Sequence, residues 1–370
     1  MRPNMPTIAA LGLVFVAAPT MARTTSQFRQ FFPAWSGYLL DIIENNCTEL
    51  GNDYYDASNE RRLLPYDLAN CILDNMEEFR KTEMSITAVI LGLLPTILQQ
   101  VGPTVAEVSV LATRRPLLAF LLGIAMPSVS TGGSVNPAET LRSPVDVPIY
   151  SGALARAQWL WWLISAAEYL IALAAITNVF HQLYQLAYWS ISVSSIAVYN
   201  GGLSQTYTPF LWVILLVPAH LFGFWGFKLR YRTSRQARDG KTWIQAIKGE
   251  FSPCVMGEPL LLKEVKKGLL FIAVRYFTDL ASLTVFIFGT VGLSSQIFIS
   301  LGDVIPVIAR FLLSTLACRL ILLFELHGLR EATSRSEKTD DVLLGGGYTP
   351  VFGQDGKGSA VTQAAGHETM

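Results

Sequence analysis

Ten of the chain's lysines and arginines fall in one forty-residue stretch, Lys228 to Lys267, and a long apolar run lies on either side of it. Lys228, Arg230, Arg232, Arg235, Arg238 and Lys241 open the stretch, and Lys248, Lys263, Lys266 and Lys267 complete it. A basic loop between two hydrophobic segments stays on the cytoplasmic side of a membrane, because positive residues near a span resist translocation. That placement assigns a side to every other segment.

Composition agrees with a chain that lies mostly in lipid. Of 370 residues, 51% are hydrophobic and only 15% charged, with mean hydropathy +0.38. Soluble domains carry roughly a quarter charged residues. The formal net charge is zero, which gives nucleic acid no overall attraction. Four cysteines without a C-x-x-C pair offer no zinc site, and no cofactor signature occurs. G-x-G-x-x-G, G-x-x-x-x-G-K, H-E-x-x-H and G-x-S-x-G are all missing from the sequence.

Residues 1–22 have the form of a signal peptide, with one Arg, about a dozen apolar residues and small residues at Thr20-Met21-Ala22. An uncleaved first span is the other reading. Either one starts the next segment outside the cytoplasm. Residues 23–83 are polar enough to form a small extracytoplasmic helical domain. One helix is expected over about 34–46, another from Pro65, and a loop between them. Cys47 and Cys71 are the only cysteines there, and in an oxidising lumen they are expected to pair. Asn46-Cys47-Thr48 fits the N-glycosylation sequon.

Seven spans are expected from 84 to 326, at about 84–101, 116–130, 157–180, 183–199, 208–227, 268–293 and 304–326. The tail, 327–370, is expected to be disordered and cytoplasmic. Five spans would then separate the lumenal domain from the basic loop, and an odd number is what the two sides demand. Any five-span arrangement must lose two spans together before the loop. The fold class that results is all-α: a polytopic transmembrane helix bundle with a small helical lumenal N-terminal domain.

Around the first two spans the chain reads Cys71-Ile72-Leu73, Glu78, Lys81, Leu91-Gly92-Leu93-Leu94-Pro95-Thr96-Ile97-Leu98, Glu107 and Arg115-Pro116-Leu117-Leu118-Ala119. In this region, about 45–130, it resembles an uncharacterised family of multi-pass membrane proteins of filamentous fungi. The resemblance implies a membrane protein and brings no activity with it.

Ionisable residues at membrane depth cost about 2.5–3.5 kcal/mol each on insertion scales, so each calls for a partner or a purpose. Glu168, Arg275, Asp279, Arg310 and Arg319 are the candidates. Arg275 and Asp279 are four residues apart, on one helical face. Arg310 and Arg319 are nine apart, on opposite faces. Glu168 and Asp279 could form a carrier's relay, or the charges could pair and hold the bundle. His220, just after Pro218, and the serines at 190, 192, 194 and 195 are further polar groups at depth.

No nucleophile, metal cluster or histidine pair falls within the spans, so a non-enzymatic role leads: a sensor, scaffold or interaction protein of the secretory pathway or cell surface. Its partners would be the bilayer itself and, at the basic loop, anionic lipid headgroups or a cytoplasmic protein. A solute or proton-coupled carrier using Glu168 and Asp279 comes second, and an intramembrane enzyme third.

Overall fold

In the computed structural model, two strand pairs tie the ends of a helical bundle, one at each end. The structure describes residues 26–56, 64–130, 141, 158–198, 208–233, 248–257, 259–260 and 262–343. The expected signal peptide, most of the 131–156 loop, Arg235, Arg238, Lys241 and residues 344–370 lie outside them.

Three short helices open the described chain: α1 (Ser36–Asn45), α2 (Thr48–Tyr55) and α3 (Leu64–Asp74). Helix α2 occupies part of what the sequence predicts as loop. Its Tyr54 is fully buried, and that apolar anchor pulls the segment into a helix against α1 and α3. A Cys47–Cys71 disulfide ties α2's start to α3. Leu39, Ile42, Ile43, Leu68 and Ile72 form the core of this unit, and Phe28, Phe31 and Phe298 extend it to the bundle. Phe28 and Phe298 both have positive φ, 62° and 63°, and their rings meet edge to face at 6.4 Å. Such backbone costs about 1–3 kcal/mol per residue, and the aromatic packing holds it. Further bonds dock the unit: Ala34 N–H donates to the Asp303 carboxylate (3.2 Å) and Gln27 to the Ala187 carbonyl (3.0 Å).

The bundle follows as α4 (Glu78–Val101), α5 (Val105–Ala112), α6 (Pro116–Ala125), α7 (Gln158–Tyr188), α8 (Val193–Val198), α9 (Thr208–Ile214), α10 (Leu216–Arg230), α11 (Leu269–Ser294) and α12 (Leu301–Leu343). Among the described residues, five segments are long and apolar enough to cross a membrane: Glu78–Val101, Trp159–Tyr188, Pro209–Arg230, Leu269–Ser294 and Leu301–Arg335. The chain is thus a helical bundle of the multi-pass membrane type, with five such segments where the sequence predicts seven.

Two expected spans account for the difference. In place of a span at 116–130 stands α6, 10 residues long, roughly 15 Å at 1.5 Å per residue and half the apolar thickness of a bilayer. It folds back on α5 as a hairpin, and Thr104 forms a parallel bridge with Ser130 where the hairpin closes. The other is 183–199. No Gly or Pro interrupts Phe180-His181-Gln182, so residues 183–188 simply continue α7. The chain then turns into β1 (Ile191–Ser192), which pairs antiparallel with β4 (Gln296–Ile297). The two are lost together, and three long segments still precede the basic loop.

Two other stretches are more ordered than expected. Helix α12 runs on to Leu343 instead of ending near 326. Leu329, Ala332 and Thr333 are buried there, and Leu260 N–H donates to Thr333 (3.3 Å), so the basic loop supplies the surface that α12's end packs on. In the loop itself, β2 (Tyr231–Thr233) pairs antiparallel with β3 (Leu262–Glu264), and Cys254–Met256 makes one 3₁₀ turn.

Removing the disulfide by Cys47→Ser with Cys71→Ser releases a 24-residue separation and should cost the N-terminal unit about 2–4 kcal/mol. Limited proteolysis of the full chain should then cut within 26–76 while α4 to α12 stay protected. Equal protection with and without the disulfide would show that aromatic packing alone holds the unit.

Candidate functional site: a buried charge cluster

Arg115 sits at the turn of the α5–α6 hairpin, and no part of its side chain is exposed. An arginine cannot shed its charge in a protein, so the fold must bring anions to it. Nη1 donates to Glu168 of α7 at 2.5 Å and lies 2.9 Å from Glu325 of α12. Nη2 donates to the Ser165 hydroxyl (2.7 Å), and Nε to the Glu250 carbonyl (2.8 Å). The guanidinium also lies 5.3 Å from the Tyr169 ring centroid.

Glu250 completes the arrangement. One of its carboxylate oxygens accepts from the Leu117 and Leu118 N–H groups (3.0 and 3.1 Å) and from the Tyr169 hydroxyl (2.8 Å). It therefore caps the N-terminus of α6, where Pro116 already occupies the first turn. Cys254 N–H donates to Glu325 (3.0 Å). The hairpin, α7, α12 and the basic loop thus meet at one guanidinium.

The charge count is uneven. Two carboxylates share one guanidinium, so the cluster holds one acid more than it has cations. Burial pushes the Cys254 thiol well above its usual pKa, and the nearby Glu325 charge raises it further. The thiol is therefore a weak nucleophile. For Arg115, burial alone would lower the pKa, but the charges of Glu325 and Glu168 outweigh it.

A second pair lies at the base of the hairpin. Arg319 of α12 grips Glu107 through two hydrogen bonds, 2.6 and 2.9 Å. Glu107 also closes a capping box with Thr104, its carboxylate accepting from the Thr104 N–H (2.8 Å) and its own N–H donating to the Thr104 hydroxyl (3.3 Å). Burial would raise the Glu107 carboxyl, but the Arg319 bonds and charge, with the Thr104 N–H, hold it below the usual range.

The intramembrane charges predicted from sequence do not converge. Glu168 is buried against Arg115, whereas Asp279 is exposed on the outside of α11. No ion pair joins Asp279 to Arg275 among the described residues, although they share a helical face. Arg310 is exposed on α12, and Arg319 turns inward to Glu107. His220 packs against Gly123, whose missing side chain leaves room for the ring: a Cβ there would lie 3.2 Å from it. No group of three or more His, Cys, Asp or Glu suited to a metal occurs among the described residues. Ser190 donates to Gln296 (2.7 Å), and Ser192, Ser194 and Ser295 share a hydroxyl knot, so these serines tie β1 to β4 and the start of α8 to the end of α11. Asn46 is exposed, and its amide donates to Asn75 (2.9 Å). At the basic end, Arg230 pairs with Glu264 (2.5 Å), Lys228 lies over Phe224 (4.4 Å), and exposed Arg232 stands opposite Lys263 in the β2–β3 register.

Arg115, Glu325 and Glu107 were missed as site residues. Thr104-Val105-Ala106-Glu107 has the spacing of a capping box, a signal for Glu107. Glu325 falls near the end of the expected 304–326 span, an ionisable residue in an apolar run, but its partner lies 210 positions away in the chain.

Removing the cation should cost far more than neutralising one acid. Arg115→Met leaves two buried carboxylates on no partner and should destabilise the bundle by about 3–5 kcal/mol. Glu168→Gln keeps the shape and a neutral cluster, and should cost about 1 kcal/mol. Thermal unfolding of the detergent-purified chain checks the order, and an equal loss in both variants would refute it.

No protein-family model matches this chain, and no curated protein or solved structure shows significant similarity to it.

Proposed function

We propose that the chain is a non-enzymatic multi-pass membrane protein of the secretory pathway or cell surface, a scaffold or interaction protein that presents one face on each side of the bilayer. The N-terminal unit is extracytoplasmic, where an oxidising compartment sustains the Cys47–Cys71 bond and Asn46 is available as a glycan acceptor. The basic loop and the end of α12 are cytoplasmic. The observation that carries this reading is the Arg115 cluster. Its carboxylates are held in direct ion pairs, which favours one fixed arrangement over the alternation a carrier needs. A carrier using both Glu168 and Asp279 draws no support from a bundle that buries one and exposes the other.

The cytoplasmic partner is anionic lipid. Arg232 and Lys263 are exposed and directly opposite one another in the ribbon. Like charges in that position repel unless an anion lies between or beside them. Lys266 and Lys267 follow, also exposed, and exposed Leu269 and Leu270 open α11 immediately afterwards. The ribbon is thus placed where α11 would leave the bilayer, at headgroup level.

Lipid attraction of about 1 kcal/mol per basic residue makes this measurable. Replacing Arg232, Lys263, Lys266 and Lys267 with Gln should strip co-purified phosphatidylserine from the chain and abolish its thermal stabilisation by phosphatidylserine nanodiscs, with phosphatidylcholine nanodiscs unchanged. Retention of phosphatidylserine by the variant would sink the lipid assignment.

A further inference from the structure

Between α4 and α5 the helical path breaks at Gly102-Pro103, and the break lies inside the bundle. Leu98, Val105 and Val129 around it belong to one apolar core. Non-helical backbone at membrane depth is tolerated only where protein buries it or a polar cavity meets it. Here residues 127–130, the end of the α5–α6 hairpin, lie alongside. Gln99 donates to the Val129 carbonyl (3.2 Å), and Val105 N–H to the Ser130 carbonyl (3.1 Å). These bonds serve the backbone and leave the Ser128 hydroxyl aside. That hydroxyl lies against Gly102, where a Cβ would fall 2.0 Å from its oxygen.

A small cavity lies beside the break, between α4, α9 and α11. Three of the residues that line it, Ser128, Trp212 and Ser282, are more than nine-tenths buried. The two hydroxyls and the indole N–H have no hydrogen-bond partner among the described residues. They come from three separate segments, and Ser282 stands roughly 20 Å along α11 from Leu269. A buried polar group left unpartnered destabilises a fold, so three at one cavity mark a shared ligand.

The cavity limits what that ligand can be. It gives the centre of a water-sized sphere about 10 Å³, the room that a single water takes. Among the described residues no charged side chain lines it, so an ion would be desolvated there without a counter-charge. The indole N–H can only donate, whereas a serine hydroxyl donates or accepts. One oxygen that accepts from Trp212 and exchanges hydrogen bonds with both serines answers all three groups.

We infer that this cavity binds a single neutral hydroxyl oxygen that joins Ser128 at the hairpin's end, Trp212 of α9 and Ser282 of α11. Water carries that chemistry, and so does the hydroxyl of a membrane alcohol. Gln99 of α4 and Phe286 of α11 are half-buried lining residues, so the approach runs between those two helices. The bound oxygen pins the broken stretch of chain to two long segments of the bundle.

The sign of a stability change tests the site. Ser128→Ala and Ser282→Ala are made singly and together in the full-length chain. Unfolding temperatures are read in phosphatidylcholine nanodiscs with and without cholesterol. Removing a hydroxyl that holds nothing relieves a buried unpartnered group and should raise the unfolding temperature. Removing one that holds the oxygen should lower it by about 2 °C. The double variant should then lose less than the sum, because both serines serve the same oxygen. Equal losses in both nanodiscs identify the ligand as water. A cholesterol-dependent gain in the unaltered chain that Ser282→Ala abolishes identifies it as the alcohol. Single variants that unfold at the same or a higher temperature in both nanodiscs would overturn the site, as would losses that simply add.

Discussion

A fully buried guanidinium must be answered by acids and other acceptors, and in this chain three separate parts of the sequence answer the one that carries it. Arg115 comes from a hairpin turn, Glu168 and Ser165 from α7, Glu325 from α12 and the Glu250 carbonyl from the basic loop. Desolvation makes each of these groups expensive alone. Together they define one geometry in which both carboxylates contact the cation, and any slip of α7 or α12 would leave a charge unpaired. The short hairpin owes its position to this cluster and to the Glu107–Arg319 pair near its base. Without them, α5 and α6 are too short to be held by spanning the apolar layer.

Between the cluster and the N-terminal unit, the bundle relies on close packing. A Cβ at Gly223 would fall 1.8 Å from Val105, and one at Gly289 would fall 2.5 Å from the Trp212 ring nitrogen. These contacts bring α10 against α5 and α11 against α9 at distances only glycine permits. At the opposite end from Arg115, aromatic rings replace ions: Phe28, Phe31, Tyr54 and Phe298 pack edge to face. The bundle is thus held by charge at its basic end and by rings at the other.

The polar groups at membrane depth divide by where they point. The charged ones that face inward, Glu168, Arg319 and Glu325, have found partners on distant elements. Those that face outward, Arg275, Asp279 and Arg310, have not. Inward charge sets the internal arrangement, whereas outward charge has no part in it.

From its own residues, the sequence determined the helical membrane class, the basic loop, the long apolar segments near 84, 158, 209, 269 and 301, and the Cys47–Cys71 pairing. Each of these follows from local hydropathy, charge or cysteine count, which require no knowledge of what is adjacent. Tertiary structure decided the rest. Residues 116–130 read as a span because they are apolar, but ten helical residues fold back once Arg115 is drawn to Glu168 and Glu325. Residues 183–199 read as a separate span, though nothing in Phe180-His181-Gln182 breaks a helix, and the true break waits for the pairing of β1 with β4. Glu325 is visible in the sequence as a charge in an apolar run, but its partner is not. Whether a buried acid is a liability or half of an ion pair depends on a partner that only the folded chain brings near.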